Sequence, residues 1–172
     1  MVKLVIEPLQ KTRHSRTQFD CGLTPVNDFL KKAARRQMDL RVNHTWVAVA
    51  QTEEAAPVLA FFTLTQCTVS RTELPSDLPV TQWPRYPLPV LKLAWLGVHK
   101  THQRTAQRMG ELMLVDAINR STAMVRSTGL GIALLVDPLP EQSEHFFLKY
   151  GFQAMQRAFR ERATLFLPLR QA

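Results

Sequence analysis

Residues that could bind phosphate stand directly before a predicted helix in the second half of the chain. Four of them are polar or cationic and the last is a small residue; the set comprises Gln103, Arg104, Gln107, Arg108, Met109 and Gly110. The first turn of a helix leaves backbone N–H groups without helical partners, and arginine side chains form paired hydrogen bonds with phosphate oxygens. The segment is therefore a candidate site for a phosphate-bearing ligand.

An aromatic cluster near the C-terminus contains a second candidate group. Phe146, Phe147, Tyr150 and Phe152 lie close together in sequence, and Tyr150 carries the one hydroxyl among them. A tyrosine hydroxyl can donate a proton to a leaving group, whereas phenylalanine cannot. The alternative for the cluster is packing in an aromatic core.

For three further side chains, both a chemical role and a packing role are open. His99 follows an apolar run and could act as a general base or be an ordinary surface histidine. Trp83 and Trp95 could stack on a nucleobase or anchor a loop in the core. None of the three identifies a substrate.

The elements that must position these residues alternate between strands and helices. In chain order, the apolar patterns predict a strand at 1–7, a helix at 24–40 with Thr24 as its N-cap, strands at 44–50 and 57–67 joined by a turn at 52–56, a strand at 90–98, a helix at 108–125, a strand at 131–136, a helix at 141–150 and a strand at 163–167. The proline-rich stretch 71–89 predicts a long irregular connection. This order predicts a single α/β domain over residues 1–172, with helices on both faces of a mixed sheet.

The composition is that of a globular protein with excess positive charge. The chain has 172 residues and a formal net charge of +8, which favours phosphate-rich or acidic partners. Neither a signal-peptide core nor an apolar run of membrane-spanning length occurs, so we expect a soluble, cytoplasmic protein that does not bind membranes. Cys21 and Cys67 have neither disulfide-framework nor zinc-site spacing, so no metal is predicted.

Basic residues on and around the predicted helix at 24–40 form a candidate nucleic-acid-binding set. The set is Arg13, Arg16, Lys31, Lys32, Arg35, Arg36 and Arg85, to which Arg157, Arg160 and Arg162 could add. Ordinary solvation is the alternative for the cationic face of the helix.

Four short motifs follow one another along the chain. FDCG at 19–22 with NDFL at 27–30 resembles FxCG…LxxWL, HTWV at 44–47 resembles RTFV, RYPLPV at 85–90 before LAWLGV at 93–98 resembles a proline-marked entry into an LGRLAVD strand, and FFLKYGF at 146–152 resembles FYxxxGF. In this order they resemble the GCN5-related N-acetyltransferase (GNAT) family, in its toxin branch. The resemblance covers residues 19–167 and implies a mostly antiparallel mixed sheet, splayed between two central parallel strands.

The resemblance also implies a function. It implies an acetyl-CoA-dependent N-acetyltransferase that modifies the amine of aminoacyl-tRNA and blocks translation, without a metal. Backbone groups of Leu96, Gly97 and Val98 would hold the pantetheine arm, and the 103–110 segment would wrap the pyrophosphate. A ribbon-helix-helix antitoxin and a second copy of the chain are the implied protein partners.

Two positions depart from the family pattern. If Gly110 ends the family loop Q/R-x-x-G-x-G/A, Arg108 stands at a glycine position; alternatively, Gln103 and Arg104 occupy the usual Gln-Gly place after a bulge. Arginine side chains there could clamp phosphate or fill its groove. Phe147 stands where the family has a tyrosine that protonates the departing thiolate and that borders the cofactor. Tyr150 is then the remaining catalytic candidate.

These departures leave two alternatives to an aminoacyl-tRNA acetyltransferase. One is a degenerate GNAT-fold protein that binds nucleic acid or an antitoxin with little or no catalysis. The other is an acetyltransferase that modifies proteins or small amines. The residue pattern leaves the acceptor open among these classes.

Overall fold

The computed structural model describes residues 3–51, 55–139, 142, 144–159 and 161–169. Its elements are, in chain order, β1 (Leu4–Pro8), β2 (His14–Ser15), α1 (Thr24–Asp28), a π-helical turn (Phe29–Ala33), α2 (Ala34–Asp39), β3 (Asn43–Ala50), β4 (Ala56–Pro57), β5 (Ala60–Val69), β6 (Leu88–Val98), α3 (Met109–Thr128), β7 (Ala133–Val136), α4 (Glu144–Leu148), β8 (Gln153–Phe159) and β9 (Arg162–Pro168). Within this described part, no helix is long and apolar enough to span a membrane.

A seven-stranded sheet has the order β1-β3-β5-β6-β7-β9-β8, and β2 and β4 form a separate parallel pair. β6 and β7 run parallel, whereas β1–β3, β3–β5, β7–β9 and β8–β9 are antiparallel pairs. The parallel pairing ends with Leu93 opposite Val136, although β6 continues to Val98. The prediction of a mixed, mostly antiparallel α/β sheet with one parallel pair is confirmed.

The chain divides into two compact units. The first comprises Met1–Thr65 and Ala94–Ala117, and the second comprises Gln66–Leu93 and Ile118–Ala172. Strands β5 and β6 and helix α3 therefore each supply residues to both units.

The first unit contains the segment from α1 to α2. Pro25 lies in the first turn of α1, where its missing N–H loses no helical bond. The helix then widens, because the Ala34 N–H donates to the carbonyl of Phe29, five residues back. This turn buries both Phe29 and Leu30.

The second unit has its own apolar core beside the proline-rich connection. The core residues are Val69, Leu74, Leu88, Val90, Ala133, Leu135, Met155 and Phe166. The connection is anchored by polar bonds: Arg71 donates to the Trp83 carbonyl at 3.0 Å, and the Gln156 amide donates to the Leu74 carbonyl at 3.2 Å. The stretch predicted to be irregular over 71–89 contains two 3-10 turns, Arg71–Glu73 and Val80–Gln82, and its last two residues belong to β6; these bonds fix it within the unit.

Several predicted boundaries need correction. The N-cap of α1 is Leu23 and not Thr24, because the helix already includes Thr24 and no side chain caps it. The strand predicted at 90–98 begins at Leu88, since a proline is tolerated near a strand start. α4 ends at Leu148, so Tyr150 lies in the turn that follows; Glu141 falls outside the described residues.

Three strands were not predicted. β8 has a single buried position, Met155, because it lies at the edge of the sheet and lacks the alternation that marks a half-buried strand. β2 and β4 are two residues long, too short for any periodic pattern. Met1, Val2 and most of the predicted turn at 52–56 lie outside the described residues.

Candidate active site

The end of β6 is packed so closely that only glycine fits at position 97. A Cβ atom on Gly97 would lie 2.8 Å from Val26 Cγ1 and 2.9 Å from Phe61 Cε1. Both distances are below ordinary contact, so a larger residue would displace α1 or the phenylalanine ring. Leu96 and Val98 on either side are half-buried. The core thus fixes the backbone of 96–98, as a site built from main-chain groups requires.

The segment after β6 is tied to the FDCG run at 19–22. The Lys100 N–H donates to the Asp20 carbonyl at 2.9 Å, and Lys100 Nζ lies 2.7 Å from Asp20 Oδ2. The side-chain amide of Gln103 donates to the carbonyls of Cys21 at 2.8 Å and Val98 at 2.7 Å. The structure therefore uses the amide of Gln103, a predicted cofactor ligand, to hold the loop in place.

Arg104 and Arg108 both adopt the left-handed backbone conformation. Their φ angles are 54° and 48°. A residue with a Cβ atom in this region is disfavoured by roughly 1 kcal/mol or more, whereas glycine enters it freely. Arg108 stands where the family loop has glycine, and Arg104 stands in the alternative Gln-Gly place. The backbone at both arginines therefore takes the shape that glycine favours.

Helix α3 begins directly after this loop. The Met109 side chain is 2% exposed and packs into the core, whereas Gln107 is exposed and Gly110 half-buried. The Arg108 guanidinium lies 2.5 Å from each carboxylate oxygen of Glu111, in the first turn. The N-terminus of this 20-residue helix favours anions. The Arg108 guanidinium and the N-terminus of α3 therefore lie next to each other.

His99 is occupied by bonds that shape the loop. Its Nε2 lies 3.2 Å from the Gln18 carbonyl oxygen, and its Nδ1 lies 2.9 Å from Thr101 Oγ1 and accepts from the Thr101 N–H. A carbonyl only accepts hydrogen bonds, so Nε2 carries the proton. With both nitrogens bonded, His99 positions the loop and offers no free base.

The aromatic cluster places phenylalanine in the core. Phe147 is 0% exposed and makes edge contacts with Phe146, at a centroid distance of 5.1 Å, and with Phe152, at 5.8 Å. Tyr150 is half-buried, and its N–H donates to the Phe147 carbonyl at 2.9 Å. The ammonium of Lys149 lies 5.7 Å from the Tyr150 ring centroid. Phe147 is thus a packing residue, and the hydroxyl of the cluster belongs to Tyr150.

Several candidate nucleic-acid-binding cations already bond within the chain. The pairs are Arg13 with Glu7, Lys32 with Asp28 at 2.9 Å, Arg35 with Asp39 at 2.6 Å, and Arg16 with the Leu30 carbonyl at 3.1 Å. Burial and, secondarily, the charge of Arg35 lower the pKa of Arg16. Part of the positive charge around the π-helical turn is therefore paired with carboxylates of the same segment.

The remaining basic candidates differ in exposure. Arg36 and Arg85 are exposed, and Lys31 is half-buried. Arg162 has a structural role, because its guanidinium bonds to Glu144 and to the carbonyls of Leu139 and Gln142. Arg160 falls outside the described residues.

A polar cluster in the second unit was not predicted. Lys92 Nζ lies 2.5 Å from Asp137 Oδ2, and Thr164 Oγ1 donates to Asp137 Oδ1 at 2.5 Å. Although burial raises the pKa of Asp137, the bonds from Lys92 and Thr164 outweigh it and keep that pKa below its usual value. The sequence feature that could have indicated this cluster is Lys92, a lysine inside an apolar strand. The ion pair fixes β6 and β7 at the point where their pairing ends.

Comparison with known proteins gives matches along nearly the whole chain. No family model matches. The probable toxin TacT of Sinorhizobium fredii (strain NBRC 101917 / NGR234) is 25% identical over 160 residues, 89% of this chain and 86% of that protein. A structure of a tyrosine-to-phenylalanine mutant of KacT matches with a TM-score of 0.84 and 27% identity, covering 96% of this chain and 95% of KacT.

AtaT complexed with acetyl-methionyl-tRNAfMet is a further match. Its TM-score is 0.83 and its identity 25%, covering 96% of this chain and 95% of AtaT. This chain is a GNAT-fold homologue of these toxins. Other AtaT structures, 23% identical to it, contain acetyl-CoA or the C-terminus of the antitoxin AtaR. The predicted resemblance to the GNAT toxin branch is confirmed.

Proposed function

We propose that this chain is an acetyl-CoA-dependent N-acetyltransferase toxin that acetylates the amine of an aminoacyl-tRNA. The observation that carries the proposal is its homology, over 96% of its length, to AtaT, which was solved with an acetylated methionyl-tRNA. The GNAT fold, the fixed end of β6 and the cationic start of α3 support the same conclusion.

The loop before α3 fits the phosphates of acetyl-CoA. Arg104 and Arg108 give the loop the backbone shape of a glycine-rich turn, and their guanidinium groups add charge. Backbone N–H groups at Met109 and Gly110 would complete the phosphate site, together with Gln107. Gln103 supports the loop from behind through Cys21 and Val98. Backbone groups of 96–98 would hold the pantetheine arm.

Bound acetyl-CoA supplies a thioester whose acetyl group is transferred. The acceptor nitrogen forms the new N–C bond as the C–S bond breaks, and the sulfur leaves with the electron pair. The amine would lose one proton to solvent, and the sulfur would gain one from a general acid that solvent then reprotonates; Tyr150 is the candidate for that acid. A buried phenylalanine at 147 cannot supply this proton, so Tyr150 is the catalytic candidate.

The basic residues around α1 and α2, which we propose contact the acceptor, are best suited to RNA. Arg16 and Arg35 lie close enough for the charge of Arg35 to lower the pKa of Arg16, and Lys31 and Arg36 belong to the same helical segment. Such clusters attract the phosphate backbone of a nucleic acid. Arg13 and Lys32 would extend this surface, and Arg85, in the second unit, would be a further cationic contact.

An acidic antitoxin segment is the proposed protein partner. The chain carries a net charge of +8, and AtaT was solved with the C-terminus of its antitoxin AtaR. A ribbon-helix-helix antitoxin with an acidic tail would oppose this charge. We also propose that the chain forms a homodimer and acts in the cytoplasm.

Acetylation of charged tRNA tests this function. The purified chain is incubated with isotopically labelled acetyl-CoA and a set of aminoacyl-tRNAs, and labelled N-acetyl-aminoacyl-tRNA is measured beside AtaT. We expect label on at least one aminoacyl-tRNA and none on uncharged tRNA. Absence of label under conditions in which AtaT is active would refute the assignment.

One observation favours a second function. Phe147 is fully buried where the family has a catalytic tyrosine, so a protein that binds RNA or antitoxin without transfer is the alternative. It predicts RNA binding with no labelled product. Acetylation of a protein or a small amine in place of tRNA would keep the acetyltransferase assignment and change only the acceptor.

A further inference from the structure

The FDCG turn at 19–22 is folded around one carboxylate. Asp20 Oδ1 accepts the Gly22 N–H at 2.8 Å and the side-chain amide of Asn27 at 2.9 Å. Its other oxygen, Oδ2, lies 2.7 Å from Lys100 Nζ. Asn27 belongs to α1, whereas Lys100 follows β6. The turn, α1 and the segment after β6 therefore meet at the side chain of Asp20.

A second set of bonds connects the same turn to the loop at 103–110. The Cys21 N–H donates to Asn27 Oδ1 at 2.9 Å, and the Cys21 carbonyl accepts from the Gln103 amide at 2.8 Å. Gln103 directly precedes Arg104, whose backbone is left-handed. Such a conformation is disfavoured for an arginine and persists only where the surrounding structure holds it. The turn therefore supports the loop immediately before its first left-handed residue.

The charge of Asp20 has the wrong sign for direct recognition of acetyl-CoA. The phosphates of acetyl-CoA are anionic, so a carboxylate in the same unit repels them. The bonds from Lys100, Gly22 and Asn27 hold the pKa of Asp20 well below its usual value, which keeps the carboxylate charged at neutral pH. A charge that opposes the ligand, and that is bonded to three partners within the chain, indicates a role in ordering the loop.

We propose that Asp20 and Asn27 are positioning residues for acetyl-CoA: they hold the loop at 103–110 in its ligand-binding shape without contacting the ligand. The inference rests on the proposed function, because that function assigns the phosphates to this loop. Its expected effect has the opposite sign to that of simple electrostatics. Removal of the Asp20 charge would strengthen the binding of an anion if charge alone mattered, whereas it weakens binding if the carboxylate orders the loop.

Calorimetric titration with acetyl-CoA distinguishes the two signs. Asp20→Ala and Asn27→Leu should each weaken binding about tenfold, the smaller loss expected for one hydrogen bond to a charged group. Asp20→Asn keeps an oxygen that can accept from the Gly22 N–H and loses only an exposed ion pair. Its affinity should therefore stay within about threefold of the wild type.

Asp28→Ala is the matched control. Asp28 follows Asn27 in α1 and pairs with Lys32 at 2.9 Å, and its side chain is 46% exposed, compared with 43% for Asp20. The variant removes the same charge from the same unit without breaking a bond to the FDCG turn. Its affinity for acetyl-CoA should be unchanged or slightly higher.

Limited trypsin digestion without ligand tests the loop itself. Asp20→Ala should speed cleavage after Arg104 several-fold and leave cleavage after Arg126, inside α3, unchanged, because cleavage within this helix reports global unfolding. Equal or tighter binding by Asp20→Ala, an equal loss in Asp28→Ala, or unchanged cleavage after Arg104 would each overturn the proposal. A wild type that binds no acetyl-CoA, with the loop still opened by Asp20→Ala, would count against the proposed function alone.

Discussion

The loop at 103–110 and the cluster around Phe147 both depart from the family motif, but the two departures have opposite structural consequences. At the loop, an arginine stands at an expected glycine position, Arg108 in one alignment and Arg104 in the alternative one, and both residues have the left-handed backbone that glycine favours. At the cluster, the ring of Phe147 is retained in the core, but the hydroxyl is gone. A role performed by the backbone can survive a change of side chain, whereas a role performed by one side-chain atom cannot.

This contrast ranks two properties of the protein. We propose that phosphate binding depends on the backbone shape and the arginine charge at the start of α3. Proton donation depends on a hydroxyl, and Tyr150 supplies the one in this cluster. We therefore expect acetyl-CoA binding to be retained and the turnover rate to be reduced.

Charge reversal in the loop should have the largest effect. Arg104→Glu with Arg108→Glu replaces two cations by anions beside the proposed phosphate site. Each charge-assisted hydrogen bond contributes about 1.5–3 kcal/mol, so acetyl-CoA affinity should fall at least 100-fold. Isothermal calorimetry measures the loss. The control Lys3→Glu with Lys11→Glu makes the same charge change at exposed positions elsewhere in the first unit and should alter affinity less than threefold.

Exchanging the two aromatic positions should have an intermediate effect. Tyr150→Phe should lower turnover by about 100-fold, at the lower end of what a general acid contributes, without weakening acetyl-CoA binding. Single-turnover acetylation measures the change.

Phe147→Tyr is the reciprocal variant. In the Tyr150→Phe background it should restore turnover, because it returns the hydroxyl to the family position. If Tyr150→Phe leaves the rate unaltered and Phe147→Tyr gives no gain, proton donation from this cluster has no part in the reaction.

Restoring glycine in the loop should have the smallest effect. Arg108→Gly relieves a disfavoured backbone conformation and should raise the free energy of unfolding by about 0.5–1 kcal/mol. It also breaks the Arg108–Glu111 pair, which at a largely exposed site contributes little. Chemical denaturation measures the difference, with Arg126→Gly, in the helical part of α3, as a control that should destabilise. A fall in stability for Arg108→Gly would show that the backbone shape depends on the arginine.

The sequence was informative where motifs combine with periodicity. Most of the order of strands and helices, and the resemblance to the GNAT toxins, followed from apolar patterns and from runs such as FDCG and LAWLGV. The position of the phosphate loop at 103–110 stays a prediction. Edge strand β8 escaped prediction because only Met155 is buried along it. The π-helical turn left no periodic signal either.

The candidate site was less predictable than the fold. Gln103 has the right type for a phosphate ligand, but its bonds to Cys21 and Val98 depend on segments distant in sequence. The Lys92–Asp137 pair likewise joins strands that meet only in the folded chain. Left-handed arginines could not be anticipated, because propensity assigns this conformation to glycine.

Titration of the wild-type chain with acetyl-CoA tests the central claim most directly. If the loop keeps its function through backbone shape and arginine charge, calorimetry should give one site per chain with a dissociation constant in the micromolar range. Removing the phosphates, by using acetyl-pantetheine as the ligand, should abolish measurable binding. No heat of binding at millimolar acetyl-CoA, or equal affinity for acetyl-pantetheine, would contradict the account.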